Sequence, residues 1–167
     1  MNSLTFRPLT TADLPAVMAM QTCIFAHLPN PRWYFGSTED EFRHDIENHL
    51  SIGAFDGDTL AAFALASFGE QAPDISYAAK LGEDPAHTLD YRDVMVGPDY
   101  RRRGIQSFFL RHWDEVARQN GCTALYCTVD PENVPSYAAV EKAGYKRVCI
   151  KPAYDGRDRI YYKKTLD

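Results

Sequence analysis

The chain has little of what marks several large protein classes. Its 167 residues include four cysteines, Cys23, Cys122, Cys127 and Cys149, and none belongs to a C-x-x-C pair. Several lie in apolar stretches, so the expectation is buried, reduced thiols in a cytoplasmic protein. The five histidines, His27, His44, His49, His87 and His112, do not combine with Cys or acidic residues at metal-ligand spacing. No metal is therefore expected. No apolar run approaches the ~20 residues of a membrane span, and the first seven residues lack a secretory apolar core. The chain has neither the Gly-Lys-Ser/Thr ending of a phosphate loop nor a complete G-x-G-x-x-G dinucleotide fingerprint. It shows no internal repeat, linker or low-complexity tract, which predicts a single domain spanning residues 1–167. The net charge is −5, with no long basic tail, so bulk attraction to nucleic acid or an anionic membrane is not expected.

What is present argues for a folded core. The apolar fraction is 45%, with nine Phe and ten Tyr. Leu4 to Arg7 reads as a short strand. Thr10-Thr11-Ala12-Asp13 offers capping oxygens to a helix carrying Leu14, Val17, Met18, Ile24 and Phe25 on one side. Pro29-Asn30-Pro31 breaks that helix. Ser37-Thr38-Glu39-Asp40-Glu41 opens a second, running to about His49. Strands over 51–55 and 59–68 flank an Asp56-Gly57-Asp58 turn. Residues 69–87 read as the longest irregular stretch, and 88–96 as the next strand. A helix over 104–119 has Ile105, Phe108, Phe109, Trp113, Val116 and Ala117 at helical spacing. It is stopped by Asn120-Gly121. A strand over 123–129, a short helix over 135–143 and two strands around Tyr154-Asp155-Gly156-Arg157 complete the chain. This order predicts an α+β fold: a mixed, mostly antiparallel sheet of about six or seven strands with helices on both faces.

Two segments carry chemistry. The first is Val94-Met95-Val96-Gly97-Pro98-Asp99-Tyr100-Arg101-Arg102-Arg103-Gly104-Ile105-Gln106-Ser107. An apolar strand runs through a basic, Gly-containing corner into a helix. Unpaired amides and the positive end of the dipole collect at such a helix start. With three arginines beside it, the corner suits a phosphate or diphosphate. The second is Asp130-Pro131-Glu132-Asn133-Val134-Pro135-Ser136-Tyr137, running on through Glu141-Lys142-Ala143-Gly144-Tyr145.

In their order and separation these segments resemble the two signatures of the GCN5-related N-acetyltransferase superfamily. The resemblance covers essentially the whole chain. It implies an acyl-CoA N-acyltransferase fold, acetyl-CoA as acyl donor, and transfer to a primary amine on a small molecule or a peptide N-terminus. On that resemblance the diphosphate would sit on Arg101, Arg102, Arg103, Gly104, Ile105, Gln106 and Ser107. The pantetheine arm would pair with Val94, Met95 and Val96 as an added strand. Asn133 and Ser136 would contact the coenzyme, Asn133 being equally readable as a helix cap. The family usually has Gly or Ala where Gln106 stands.

Proton transfer is less completely specified. Many family members carry a Tyr seven residues after that Asn, where this chain has Val140. The pattern more resembles the branch that includes ribosomal-protein N-terminal acetyltransferases. Tyr137, one turn earlier, is the candidate acid, or else a packing residue. Asp93, with Asp90 next, is the candidate base; Asp93 is equally readable as an ion-pair partner of a motif arginine. His27, Trp33, Tyr34 and Phe35 lie where the family often builds acceptor contacts, although the aromatics also suit a core. None of the cysteines has a readable base partner, which favours direct transfer in a ternary complex. The chain would act as a monomer or homodimer. The rival reading is an acyl-CoA-binding regulatory module that has lost catalysis.

Overall fold

The computed structural model describes residues 3–153 and 155–167. Met1 and Asn2, within the segment inspected for a leader, and Tyr154, within the last turn, lie outside the described residues.

Local sequence signals set most of the elements. β1 (Thr5–Arg7) is followed by a 3-10 turn over Thr11–Asp13 and by α1 (Leu14–Ala26). The Thr10 amide donates to Asp13 Oδ2 at 2.8 Å, and Arg7 holds the same carboxylate at 2.9 Å, so the expected capping residues close the turn. α2 (Glu39–Asn48) starts with a full capping box. The Thr38 amide donates to Glu41 Oε2 at 2.7 Å, and the Glu41 amide donates to Thr38 Oγ1 at 3.2 Å. β2 (Leu50–Asp56) and β3 (Thr59–Phe68) form the expected hairpin.

Residues 69–87 differ from expectation. They fold into two 3-10 turns, Gly69–Gln71 and Pro73–Ile75, and a one-turn helix, α3 (Tyr77–Lys80). Elements this short carry no readable hydrophobic period, although Ser76 caps α3 by accepting from the Ala79 amide at 3.3 Å. β4 (Thr88–Val96), α4 (Ile105–Gln119), β5 (Ala124–Val129), α5 (Val134–Lys142), β6 (Lys146–Pro152) and β7 (Asp158–Thr165) follow.

The seven strands form one mixed sheet in the order β1-β2-β3-β4-β5-β7-β6. β1 pairs antiparallel with β2, β4 parallel with β5 through Thr88–Asp90, and β7 antiparallel with both β5 and β6. The chain resolves into two compact units. One comprises residues up to Leu65 together with Asp93–Phe109; the other comprises Ala66–Arg92 with Leu110–Asp167.

In the first unit Leu14, Val17, Ile24, Phe42, Phe63, Leu65 and Met95 pack into one apolar cluster. Phe42 and Phe63 meet edge to face at 5.9 Å. In the second unit Tyr77, Ala78, Ala124, Tyr126 and Tyr161 form another cluster. The buried stripe of α4 is Ile105, Phe109, Leu110, Trp113 and Ala117. Phe108 and Val116 are only half-buried. Phe108 instead stacks on Phe6, with ring centroids 4.0 Å apart.

Phe63 is fully buried. Phe63→Ala should therefore cost about 3–5 kcal/mol of stability, read as a lowered urea midpoint; a loss under 1 kcal/mol would mean that the site collapses without a cavity.

Candidate functional site

β4 leads directly into the basic corner. The Gly97 amide donates to the Ala61 carbonyl of β3 at 2.9 Å, fixing where β4 ends. A Cβ at Gly97 would lie 3.1 Å from that carbonyl oxygen, so a side chain there would press β3 back by a few tenths of an ångström. Pro98–Tyr100 then makes a 3-10 turn. The Tyr100 hydroxyl donates to Asp56 Oδ2 at 3.0 Å, and the Arg103 guanidinium lies 5.1 Å from the Tyr100 ring centroid. These tethers were not legible in the sequence, because Asp56 is 44 residues away from Tyr100.

Two residues of the corner are left-handed: Arg102 at φ +62° and Gly104 at φ +78°. A left-handed non-glycine residue costs roughly 1–2 kcal/mol. Alternating backbone hand turns successive N–H groups towards one point and makes an anion-binding concavity. The amide of Phe108 donates to the Gly104 carbonyl at 2.9 Å. The amides of Ile105, Gln106 and Ser107 precede that bond and lie in the first turn, where no intrahelical acceptor exists. Arg101 to Gly104 and Ser107 are exposed, Gln106 is half-buried and Ile105 is in the core. A Cβ at Gly104 would meet nothing within 4 Å. The need for glycine there is thus conformational, from its positive φ, rather than a matter of crowding by the protein.

On β4, Met95 is buried while Val94 and Val96 are half-buried, the alternation of a strand with one covered face. The half-buried Tyr34 donates from its hydroxyl to the Val94 carbonyl at 3.1 Å. Burial and then the nearby Asp93 carboxylate push that phenol up to about 12, against an opposing effect of Arg101. Tyr34, Asp93, Val94 and Arg101 therefore stand together. The segment leading to α2 is pinned a second time: Gln21 Nε2 donates to the Ser37 carbonyl at 2.8 Å, and the Ser37 amide donates to Gln21 Oε1 at 2.9 Å. Phe35, between the two pins, is exposed. Trp33 is half-buried and His27 exposed. The His27 Nδ1 lies 2.7 Å from the Cys23 carbonyl and 3.9 Å from Cys23 Sγ. A carbonyl only accepts, so the Nδ1 proton points to it and that nitrogen is no base for the thiol. Burial also raises the Cys122 and Cys127 thiols, the second very far.

In the second unit Asn133 takes the cap role: its Oδ1 accepts from the Ser136 amide at 3.4 Å at the start of α5. Ser136 and Tyr137 are half-buried. The Arg147 guanidinium lies 5.1 Å from the Tyr137 ring centroid. Val140 is buried in the core, so that position faces packing. His87, left-handed at φ +57°, accepts through its carbonyl from the Thr123 amide at 2.8 Å.

Asp90 is buried on β4, and its Oδ2 accepts from the Tyr77 amide at 3.3 Å. Burial raises its carboxyl to about 7, against the hydrogen bond from Tyr77 and the charges of Arg92 and Lys80. Among the described residues no group of three or more His, Cys, Asp or Glu gathers as a metal site would require, and no helix is long and apolar enough to cross a membrane.

A model of the acetyltransferase (GNAT) family matches residues 17–145. The [ribosomal protein bS18]-alanine N-acetyltransferase of Salmonella typhimurium strain LT2 is 24% identical over 146 residues, 87% of this chain and 83% of that protein. Streptothricin acetyltransferase of Streptomyces lavendulae is 30% identical over 121 residues, covering 72% of this chain and 52% of that protein. The structure of an acetyltransferase from Salmonella typhimurium with its cofactor acetyl-CoA superposes at TM-score 0.72 and 16% identity, over 99% of this chain and 95% of that one.

Asp90 sets a pH signature. Its folded carboxyl stays protonated to about pH 7, whereas the unfolded one ionises near 4. The folded state thus binds the extra proton, and stability falls as pH rises from about 4 to about 7. Asp90→Asn should melt increasingly above wild type over that range; parallel melting-temperature curves would mean that Asp90 is ionised when folded.

Proposed function

The chain belongs to the acetyltransferase (GNAT) family, and we propose that it transfers the acetyl group of acetyl-CoA to a primary amine by direct attack in a ternary complex. The observation that carries this reading is the left-handed corner at Arg102 and Gly104, which opens the first amides of α4 beside three exposed basic side chains. The backbone there fits a diphosphate, since the corner is uncrowded and no side chain of the protein fills it at Gly104. Arg101, Arg102 and Arg103 supply charge, and the Ser107 hydroxyl adds a donor. Gln106 replaces the usual small residue with a long amide that itself can donate. Val94 to Val96 offer main-chain groups to the pantetheine arm. Asn133 spends its oxygen on the α5 cap and keeps its NH2 for the coenzyme.

Bound acetyl-CoA supplies a thioester whose acyl carbon an amine attacks, with the CoA thiol leaving. The Val96 amide is the candidate donor to the oxygen that gains charge in that step. Asp93, close enough for its charge to act on the Tyr34 phenol, is the candidate acceptor of the amine proton, with Asp90 second. Asp90 holds its own proton up to about pH 7, and so serves as a base only above that pH. Tyr137 is the candidate donor to the leaving sulfur, and water serves as well, because a thiolate is a good leaving group. The acceptor is a small-molecule amine or a peptide N-terminus, classes represented among the relatives by streptothricin and the alanine of bS18. His27, Trp33 and Tyr34, with the exposed Phe35, are its candidate contacts.

Two measurements test this. Thiol release from acetyl-CoA should occur with at least one member of a panel of small amines and N-terminal peptides; tight coenzyme binding without turnover on any amine would favour a regulatory module. Gly104→Trp has room at an exposed position but takes on a strain of roughly 1–2 kcal/mol from the positive φ; it should remain folded by circular dichroism yet lose coenzyme binding in a calorimetric titration, and unchanged affinity would move the diphosphate elsewhere.

A further inference from the structure

Arg159 is the second residue of β7 and lies at the head of its buried stretch. It begins Arg159-Ile160-Tyr161-Tyr162 on β7, and its side chain is 2% exposed. A buried guanidinium is tolerated only where carboxylates meet its planar fork. Two do so. Nη1 donates to Asp130 Oδ2 at 3.2 Å, and Nη2 donates to Asp155 Oδ2 at 3.0 Å. The antiparallel register places Val129 opposite Ile160, so the residue leaving β5 comes beside Arg159.

Asp130 uses its remaining groups to build the loop that presents Asn133. Its Oδ1 accepts from the Glu132 amide at 2.8 Å, and its carbonyl accepts from the Asn133 amide at 3.0 Å. The Asn133 carbonyl then accepts from the Tyr137 amide at 3.1 Å, starting α5. On the far side Asp155 is held by the Arg157 amide at its other oxygen, at 3.0 Å. Its carboxyl is lowered by these donors in spite of burial. A continuous set of hydrogen bonds thus runs from the β6–β7 turn through Arg159 and Asp130 to the backbone of Asn133.

We propose that Arg159 is a positioning residue for coenzyme binding: by gripping Asp130 and Asp155 together it holds the Asp130–Asn133 loop so that the Asn133 amide faces the coenzyme. This rests on the reading of Asn133 as a coenzyme contact. Arg159 itself touches no substrate. An ammonium on a single stem cannot span both carboxylates as the fork does, so Arg159→Lys keeps the charge and loosens the loop.

The test is calorimetric titration of the full-length protein with CoA, which needs no knowledge of the acceptor. Arg159→Lys should weaken CoA binding about tenfold, or about 1.4 kcal/mol, with the fold retained by circular dichroism. Asn133→Ala should weaken it similarly, and the double variant should lose no more than about twofold beyond either alone, because both changes remove one contact. Losses that multiply, or a Kd within twofold of wild type for Arg159→Lys while Asn133→Ala binds weakly, overturn the positioning role and leave the acetyltransferase reading standing. An unaltered Kd for Asn133→Ala removes the contact itself and the proposal with it. Should Arg159→Lys fail to fold, Asp155→Asn loosens only the outer anchor; about threefold weaker CoA binding is expected, and unchanged affinity overturns the proposal.

Discussion

The eight residues of backbone between β4 and α4, Gly97 to Gly104, carry the constraint on which the proposed site depends. Helix amides that start a turn must find an acceptor or face water. Here the Gly97 bond to Ala61 fixes the end of the strand, Tyr100 is tied to Asp56, and the chain turns through left-handed Arg102 and Gly104 into the helix. The turn holds an arginine in a backbone region that side chains avoid. Strain of this kind persists where surrounding bonds determine the geometry, and it concentrates at functional sites. The same stretch that bends the chain leaves Arg101, Arg102 and Arg103 exposed.

Charge is used in two contrasting ways. Arg101, Arg102 and Arg103 are exposed, where ion pairs between side chains contribute little and a polyanionic ligand gains most. Arg159 is buried between two carboxylates, where removing one partner is costly and geometry is held tightly. One arginine set is open to solvent; the other is engaged with the protein's own loop. Asp90 is a third case: burial keeps its carboxyl protonated up to about pH 7, so β4 carries a proton rather than a charge at that point.

Legibility followed period and length. α4 was readable because Ile105, Phe109 and Trp113 recur every four residues and stay buried, and α2 because Thr38 and Glu41 spell a capping box. The segment 69–87 reads as irregular in the sequence because a one-turn helix and two 3-10 turns are shorter than any hydrophobic period. Asn133 was legible as cap and as ligand candidate alike, since one amide has both an acceptor and a donor. The hydroxyl of Tyr34 was readable only as a candidate acceptor contact; its bond to Val94 spans 60 residues. Nothing local marks Arg159 as a partner of Asp130, because that pairing depends on strand register.

The order of the seven strands and the longer helices, the basic corner between β4 and α4, and the family resemblance were legible in the sequence alone, since caps, turns and periodicity act within a few residues of one another. The tertiary structure decided the rest: that Val140 faces the core, that Tyr34 bonds to β4, that Gly104 is required for its φ, and that Arg159 joins two distant carboxylates. Those outcomes depend on which strands pair and in which register. Contacts between residues tens of positions apart are set by the burial of the whole chain, and no short stretch of residues encodes them.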